Sequence, residues 1–164
     1  MIIVINGCGG SGKDTFIELI KKKRPELLIK NLSTVDKIKD CATILGWNGQ
    51  KDEKSRKFLS DLKDLSAKYN DGPYNYIKNC IENTNIFYDM FFIHSREPNE
   101  IEKFAKNLKV LTVFIDASKR VPHISSNHAD DEVENYNYDY YIDNNGSYKD
   151  LEDTIKTFLN EIGI

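Results

Sequence analysis

The sequence predicts an α/β fold: a five-stranded parallel sheet covered by helices. Three observations predict it. Short apolar runs recur along the chain, and most are followed by a segment with helical spacing, the signature of strand–helix alternation. The first run is unbroken, as in a central strand buried on both faces. Between that strand and the first helix lies a loop unusually rich in glycine.

The elements follow in order. Met1–Asn6 carries three isoleucines and a valine and reads as the first strand. Gly7–Gly12 is the glycine loop. Lys13–Lys23 has Phe16, Ile17, Leu19 and Ile20 at helical spacing, and the basic run Lys21–Arg24 with Pro25 stops that helix. Leu27–Leu32 is a second strand. Ser33 and Asp36 then open a helix to about Leu45, in an arrangement that resembles a cap. A polar turn with Trp47 leads to a helix over Lys54–Tyr69, with Phe58, Leu59, Leu62 and Leu65 on one face. Pro73 opens the next helix, to about Asn83. Asp89–His94 is the third strand, Glu97–Leu108 a helix and Val110–Ile115 the fourth strand. Residues 117–135 are polar and aperiodic, long for a plain connection, and read as a lid. Asp139–Asp143 is the fifth strand, at an edge marked by the tyrosines of Tyr136–Tyr141. Asn144–Gly146 is a turn and Leu151–Ile162 the closing helix. Residues 33–83 break the alternation and read as a helical insertion within a single domain spanning 1–164.

Composition narrows the class. With 164 residues, 40% hydrophobic and 30% charged, the chain is globular. Its 23 basic and 26 acidic residues give a net charge of −3, which argues against a nucleic-acid partner. No apolar run approaches the ~18–20 residues that span a bilayer. The N-terminal residues lack a basic region and a cleavage-like site, which argues against a signal peptide. Cys8, Cys41 and Cys80 form neither a disulfide framework nor a zinc motif, so the expected setting is cytoplasmic. A homodimer is left open.

The strongest motif is GxxxxGK in Gly7-Cys8-Gly9-Gly10-Ser11-Gly12-Lys13, followed by Asp14 and Thr15. Backbone N–H groups can wrap an anion only where side chains leave room, hence glycines, and the helix N-terminus adds partial positive charge. Lys13 reaches toward β- and γ-phosphates. Gly7, Gly9, Gly10, Ser11, Gly12, Lys13, Asp14 and Thr15 are therefore the expected ATP-binding residues. Position 14 ordinarily carries a Ser or Thr whose hydroxyl meets Mg²⁺. Asp14 either touches that cation or simply favours the helix N-terminus. Cys8 is a small filler. An NKxD-type base reader for a GTPase is missing, the chain is short for a motor ATPase, and the third strand ends in His-Ser-Arg without a clear Walker B aspartate. A compact small-molecule kinase remains.

The Gly12-Lys13-Asp14-Thr15 segment, the helical insertion and the strand-Arg96-x-Pro98-Asn99-Glu100 segment resemble the deoxynucleoside monophosphate kinase family. This is the phage-type branch of the P-loop nucleoside monophosphate kinases, with phosphomevalonate kinases as relatives of the same fold. The resemblance implies an adenylate-kinase-like strand order of 2-3-1-4-5, with residues 33–83 binding the acceptor under a short lid.

Only Arg24, Arg56, Arg96 and Arg120 are arginines in a lysine-rich chain, and Arg24 ends a lysine run. Arginine offers a planar fork for phosphate where lysine is a point charge. Arg96 lies beyond the carboxyl end of a strand, where ligands sit in open parallel sheets. The resemblance implies that Arg96 bridges the two substrates, that Arg56 grips the acceptor monophosphate, and that Arg120 is a lid arginine stabilising the transferring phosphoryl group. The lid is sparse, offering besides Arg120 only Lys119, His123 and His128. Ser33 and Asp36 are either acceptor contacts or a helix cap. Trp47, Tyr69, Tyr74 and Tyr76 read first as core, with base stacking as the alternative. His128-Ala129-Asp130-Asp131-Glu132 reads as solvated lid rather than a metal site.

The expectation is ATP- and Mg²⁺-dependent phosphoryl transfer to a nucleoside or deoxynucleoside monophosphate, with Lys13, Arg96 and Arg120 as the catalytic set. The alternatives are a non-nucleotide phosphorylated acceptor such as phosphomevalonate, or a nucleotide sensor with little turnover.

Overall fold

The computed structural model describes residues 1–121 and 136–164. Its strands are β1 (Ile2–Asn6), β2 (Ile29–Ser33), β3 (Met90–His94), β4 (Val110–Asp116) and β5 (Tyr140–Asp143). Its helices are α1 (Lys13–Lys23), α2 (Asp36–Ile44), α3 (Glu53–Asn70), α4 (Gly72–Glu82), α5 (Pro98–Asn107) and α6 (Tyr148–Glu161). The strands form one sheet in the order β2-β3-β1-β4-β5. β1 is central, pairing in parallel with β3 (Ile5 beside His94) and with β4 (Asn6 beside Phe114). β4 pairs in parallel with β5. The alternation predicted this sheet and its strand number, and the predicted order is the observed one.

The chain divides into two compact units. One joins Met1–Lys30 to Tyr88–Ile164, and the other is Asn31–Phe87. In the sheet-bearing unit, Ile3 and Ile5 of β1 pack with Phe16, Ile17 and Ile20 of α1, Phe92 of β3 and Phe158 of α6. The Phe16 ring meets Phe92 nearly edge-on at 6.5 Å and tilts against Phe158 at 5.5 Å. Burying such rings contributes ~1.5–3 kcal/mol each, so the face of α1 carrying Phe16 holds the phosphate loop rigidly at the end of β1.

In the other unit α2, α3 and α4 pack on one another. Its helices depart from the expected faces. Leu65 is 66% exposed, and the buried residue of α3 is Lys63. Tyr69 is 84% exposed, so its assignment to the core is corrected. Trp47, Tyr74 and Tyr76 are half-buried, and the Trp47 indole donates to the Gln50 carbonyl. Ser33 and Asp36 form a local turn in which the Asp36 carboxylate accepts the Ser33 N–H at 2.8 Å, although neither side chain caps α2.

Two further boundaries shift. β5 begins only at Tyr140, and Tyr138, expected within an edge strand, is buried before it. α6 begins three residues before Leu151, because Ser147 and Asp150 form a reciprocal capping box. Among the described residues no helix is long and apolar enough to cross a membrane.

Candidate functional site

The site is built where β1 ends. Asn6, the last residue of β1, is fully buried. Its Oδ1 accepts the Gly7 N–H at 2.7 Å, which turns the chain out of the strand. Its Nδ2 donates to the Arg96 carbonyl at 3.1 Å and to the Tyr138 hydroxyl at 2.6 Å. One buried amide therefore ties the loop's first residue to the segment after β3 and to the segment before β5. Burial pushes the Tyr138 phenol up to about 12, and the Asn6 donor only partly offsets that, so Tyr138 is a neutral hydroxyl in this network.

The loop then closes on itself. Ser11 N–H donates to the Cys8 carbonyl at 3.1 Å, and Ser11 is buried. Gly12 takes the left-handed region at φ 94° and caps α1. A Cβ at Gly12 would collide with the Asn144 amide nitrogen, and one at Gly7 would lie 2.6 Å from the Ile115 carbonyl. Glycine is required at both places by close approach.

Lys13 is the first residue of α1, and its side chain folds back over the loop. Its Nζ donates to the carbonyls of Gly7 (2.6 Å) and Cys8 (2.9 Å) and lies 3.4 Å from Ser11 Oγ. The first-turn N–H groups of a helix have no intrahelical acceptor. The loop thus brings an ammonium and a helix N-terminus together, two groups that both attract an anion. Gly9, Gly10, Asp14 and Thr15 are exposed around it.

The loop's other wall was not legible in the sequence. Asn144 is buried directly after β5, and its Nδ2 donates to the Ser11 carbonyl at 2.8 Å. Its carbonyl accepts the Arg120 guanidinium Nε–H. The Asn144–Gly146 segment, expected as a plain turn, therefore joins the phosphate loop to Arg120. Nearby, the Asp116 carboxylate accepts the Ser118 N–H at 2.8 Å and the Asn145 amide at 3.0 Å. Partial burial pulls its carboxyl up, but these bonds and the charge of Lys119 outweigh it and hold it below the ordinary carboxylate value.

Arg96, Arg120 and Lys13 all belong to the sheet-bearing unit, at the carboxyl ends of β3 and β4 and just beyond that of β1. Ser33, Asp36 and Arg56 belong to the helical unit. Arg56 is in the first turn of α3, whose N-terminus is capped by the Asp52 carboxylate. Lys119 and Arg120 lie in the turn after β4, whereas His123, His128 and the rest of the expected lid beyond Val121 fall outside the described residues.

Beside the loop stand a carboxylate and an imidazole, those of Asp14 and His94. Asp14 is 86% exposed, and its Oδ1 lies 3.7 Å from Nε2 of His94, the last residue of β3. Among the described residues no group of three or more His, Cys, Asp or Glu could hold a metal unaided. The exposed Asp14 carboxylate is an oxygen ligand of the kind a Mg²⁺ ion takes alongside phosphate oxygens and water.

No family model matches the chain, and no curated protein matches it in sequence. Solved structures do match in fold, and together with the loop they define a P-loop α/β sandwich of the adenylate-kinase-like type. Shikimate kinase from Bacteroides thetaiotaomicron superposes with a TM-score of 0.54 at 12% identity, over 100% of this chain and 99% of that one. Shikimate kinase from Aquifex aeolicus gives 0.51 at 14% identity, over 99% and 96%.

Proposed function

We propose that the chain is an ATP-dependent phosphotransferase acting with Mg²⁺ or a related divalent cation, and that its acceptor is a nucleoside or deoxynucleoside monophosphate. The observation that carries the reading is the Lys13 ammonium, held over the Gly7 and Cys8 carbonyls at the head of α1. Incoming phosphate oxygens exchange neutral carbonyl partners for charged ones, and charge-assisted bonds are roughly twice as strong. Gly7, Gly9, Gly10, Ser11, Gly12 and Thr15 cradle the donor phosphates, and Asp14 faces the cation. That cation, when bound, neutralises charge between the β- and γ-phosphates.

Arg96 and Arg120 are assigned to the transferring phosphoryl group, where most of this catalysis lies. Arg120 is braced for that role by its bond to the Asn144 carbonyl. Arg56 is assigned to the acceptor phosphate, with Ser33 and Asp36 beside the start of α2. An acceptor phosphate is already ionised at neutral pH, so its oxygen attacks without a general base. Water is the competing acceptor, which a closing lid excludes.

A second reading keeps the phosphotransferase and changes the acceptor to a small non-nucleotide acid, phosphorylated or hydroxylic. The full-length likeness to two shikimate kinases favours it. Release of ADP from ATP, measured with each common ribo- and deoxyribonucleoside monophosphate and with shikimate and phosphomevalonate, separates the two. Release that depends on a monophosphate and vanishes in Lys13→Ala supports the first reading. Release only with the non-nucleotide acids supports the second, and no release with any acceptor overturns both.

A further inference from the structure

In the turn after β4, each backbone N–H from Ser118 to Val121 has an acceptor, and the acceptors show what holds Arg120 in place. Ser118 N–H donates to the Asp116 carboxylate at 2.8 Å, and the N–H groups of Arg120 and Val121 both donate to the Ala117 carbonyl at 2.9 Å. These bonds are local to the turn. The bond of Lys119 is not: its N–H donates to Asn145 Oδ1 at 2.8 Å, across 26 positions of sequence. The Arg120 Nε–H is in turn held by the carbonyl of the neighbouring Asn144.

The Asn145 side chain is itself fixed. Its Nδ2 donates to Asp143 Oδ1 at 2.7 Å and to Asp116 Oδ2 at 3.0 Å, and its backbone N–H donates to Asp143 Oδ1 at 2.9 Å. Asp116 and Asp143 are register partners at the ends of β4 and β5. Two carboxylates side by side repel. The amide gives each of them a donor, and its oxygen remains for Lys119. A carboxamide supplies donor and acceptor on one plane, whereas a carboxylate there would supply acceptors only. With Nε bound to the Asn144 carbonyl, Arg120 meets a phosphate through its terminal Nη pair, a fork whose reach is set by where the turn sits.

Resting on the reading of Arg120 as the residue that stabilises the transferring phosphoryl group, we propose that Asn145 is a positioning residue for Arg120, its side chain holding the turn after β4 and so the guanidinium where the phosphoryl group passes. Asn145 acts through Arg120 and touches no substrate. The phosphate loop has separate supports in Asn6, Asn144 and Lys13, so the contribution of Asn145 falls on turnover rather than on nucleotide affinity. A displacement of about 1 Å in the reacting arrangement costs about 100-fold in rate.

The test measures ADP release from Mg-ATP, with whichever acceptor named above gives the fastest turnover, in wild type, Asn145→Ala, Arg120→Ala and the double variant. Calorimetry with a non-hydrolysable ATP analogue accompanies it. In Asn145→Ala kcat should fall about 10- to 100-fold, while affinity for the analogue changes less than about threefold. In the Arg120→Ala background the same substitution should change kcat less than about twofold, because the group it positions is gone. A residue that only supports the fold would lower kcat by the same factor in both backgrounds, and that result overturns the proposal. Asn145→Ser, whose hydroxyl is shorter than the amide, serves the same comparison if the Ala variant melts below the assay temperature. Unchanged kcat in Asn145→Ala overturns the proposal and leaves the phosphotransferase reading standing. Unchanged kcat in Arg120→Ala overturns the role of Arg120 and this proposal, again with the phosphotransferase reading intact. A folded wild type that releases no ADP with any of the acceptors overturns that reading and this proposal together.

Discussion

The side-chain amide of Asn144 donates to the backbone carbonyl of Ser11 at 2.8 Å, joining the loop after β5 to the loop after β1 across 133 positions of sequence. Both residues are buried. The bond fixes the phosphate loop at Ser11, as the Asn6 side chain fixes it at Gly7. Replacing Asn144 with Ala removes the donor and strands a buried carbonyl, at a cost of about 1–3 kcal/mol. Thermal melting should show a drop of several degrees, together with weaker ATP binding measured by calorimetry.

Gly12 makes the complementary prediction. Its left-handed φ of 94° and the Asn144 amide against it leave no room for a methyl group. Gly12→Ala should destabilise the fold by about 2 kcal/mol or more, from backbone strain and displacement of Asn144. Gly9→Ala is the control, since nothing lies within 4 Å of a Cβ there. Similar melting temperatures for the two variants would contradict the packing described.

Tyr138→Phe tests the hub at Asn6. The Asn6 Nδ2 keeps the Arg96 carbonyl but loses the hydroxyl acceptor, so the expected cost is about 1 kcal/mol. Because Asn6 also sets the Gly7 N–H, ATP affinity should fall along with stability. A loss of stability with unchanged affinity would make Tyr138 a packing residue only.

Asp116 sets a pH dependence. Its folded-state carboxyl is held below its unfolded value, near 3.9, by the bonds from Ser118 and Asn145. The associated stability is present above the unfolded value and is lost as pH falls through the folded one. The melting temperatures of wild type and Asp116→Asn should therefore differ at pH 7 and converge as the pH is lowered toward 3. A constant gap across that range would contradict the assignment.

The phosphate loop was legible because its parts are consecutive: an apolar strand, glycines at fixed offsets, a lysine and a helix. The sheet order followed from the family resemblance. Asn6, Tyr138 and Asn144 were not legible as a group, because 132 positions separate Asn6 from Tyr138 and only the folded sheet makes them neighbours. A buried polar residue ending an otherwise apolar strand was the available signal for Asn6. Ser147 does not stand out as a cap in the sequence because the apolar period of α6 starts only at Leu151, while its cap pairs with Asp150 rather than the more familiar Glu. On α3 the leucine spacing suggested a buried stripe through Leu65, yet Lys63 is the residue inside. The long stem of a lysine can be buried as apolar surface, which a hydropathy pattern does not register.

The most direct test of the central claim is calorimetric titration of a non-hydrolysable ATP analogue, with Mg²⁺ and separately with Mn²⁺, into wild type and Lys13→Ala. Saturable binding of one analogue per chain is predicted for the wild type, weakened about 100-fold in the variant as the charged bonds from Lys13 are lost. Equal affinity in the two proteins, or no binding by a folded wild type with either metal, would contradict the assignment of Gly7–Thr15 as a triphosphate site.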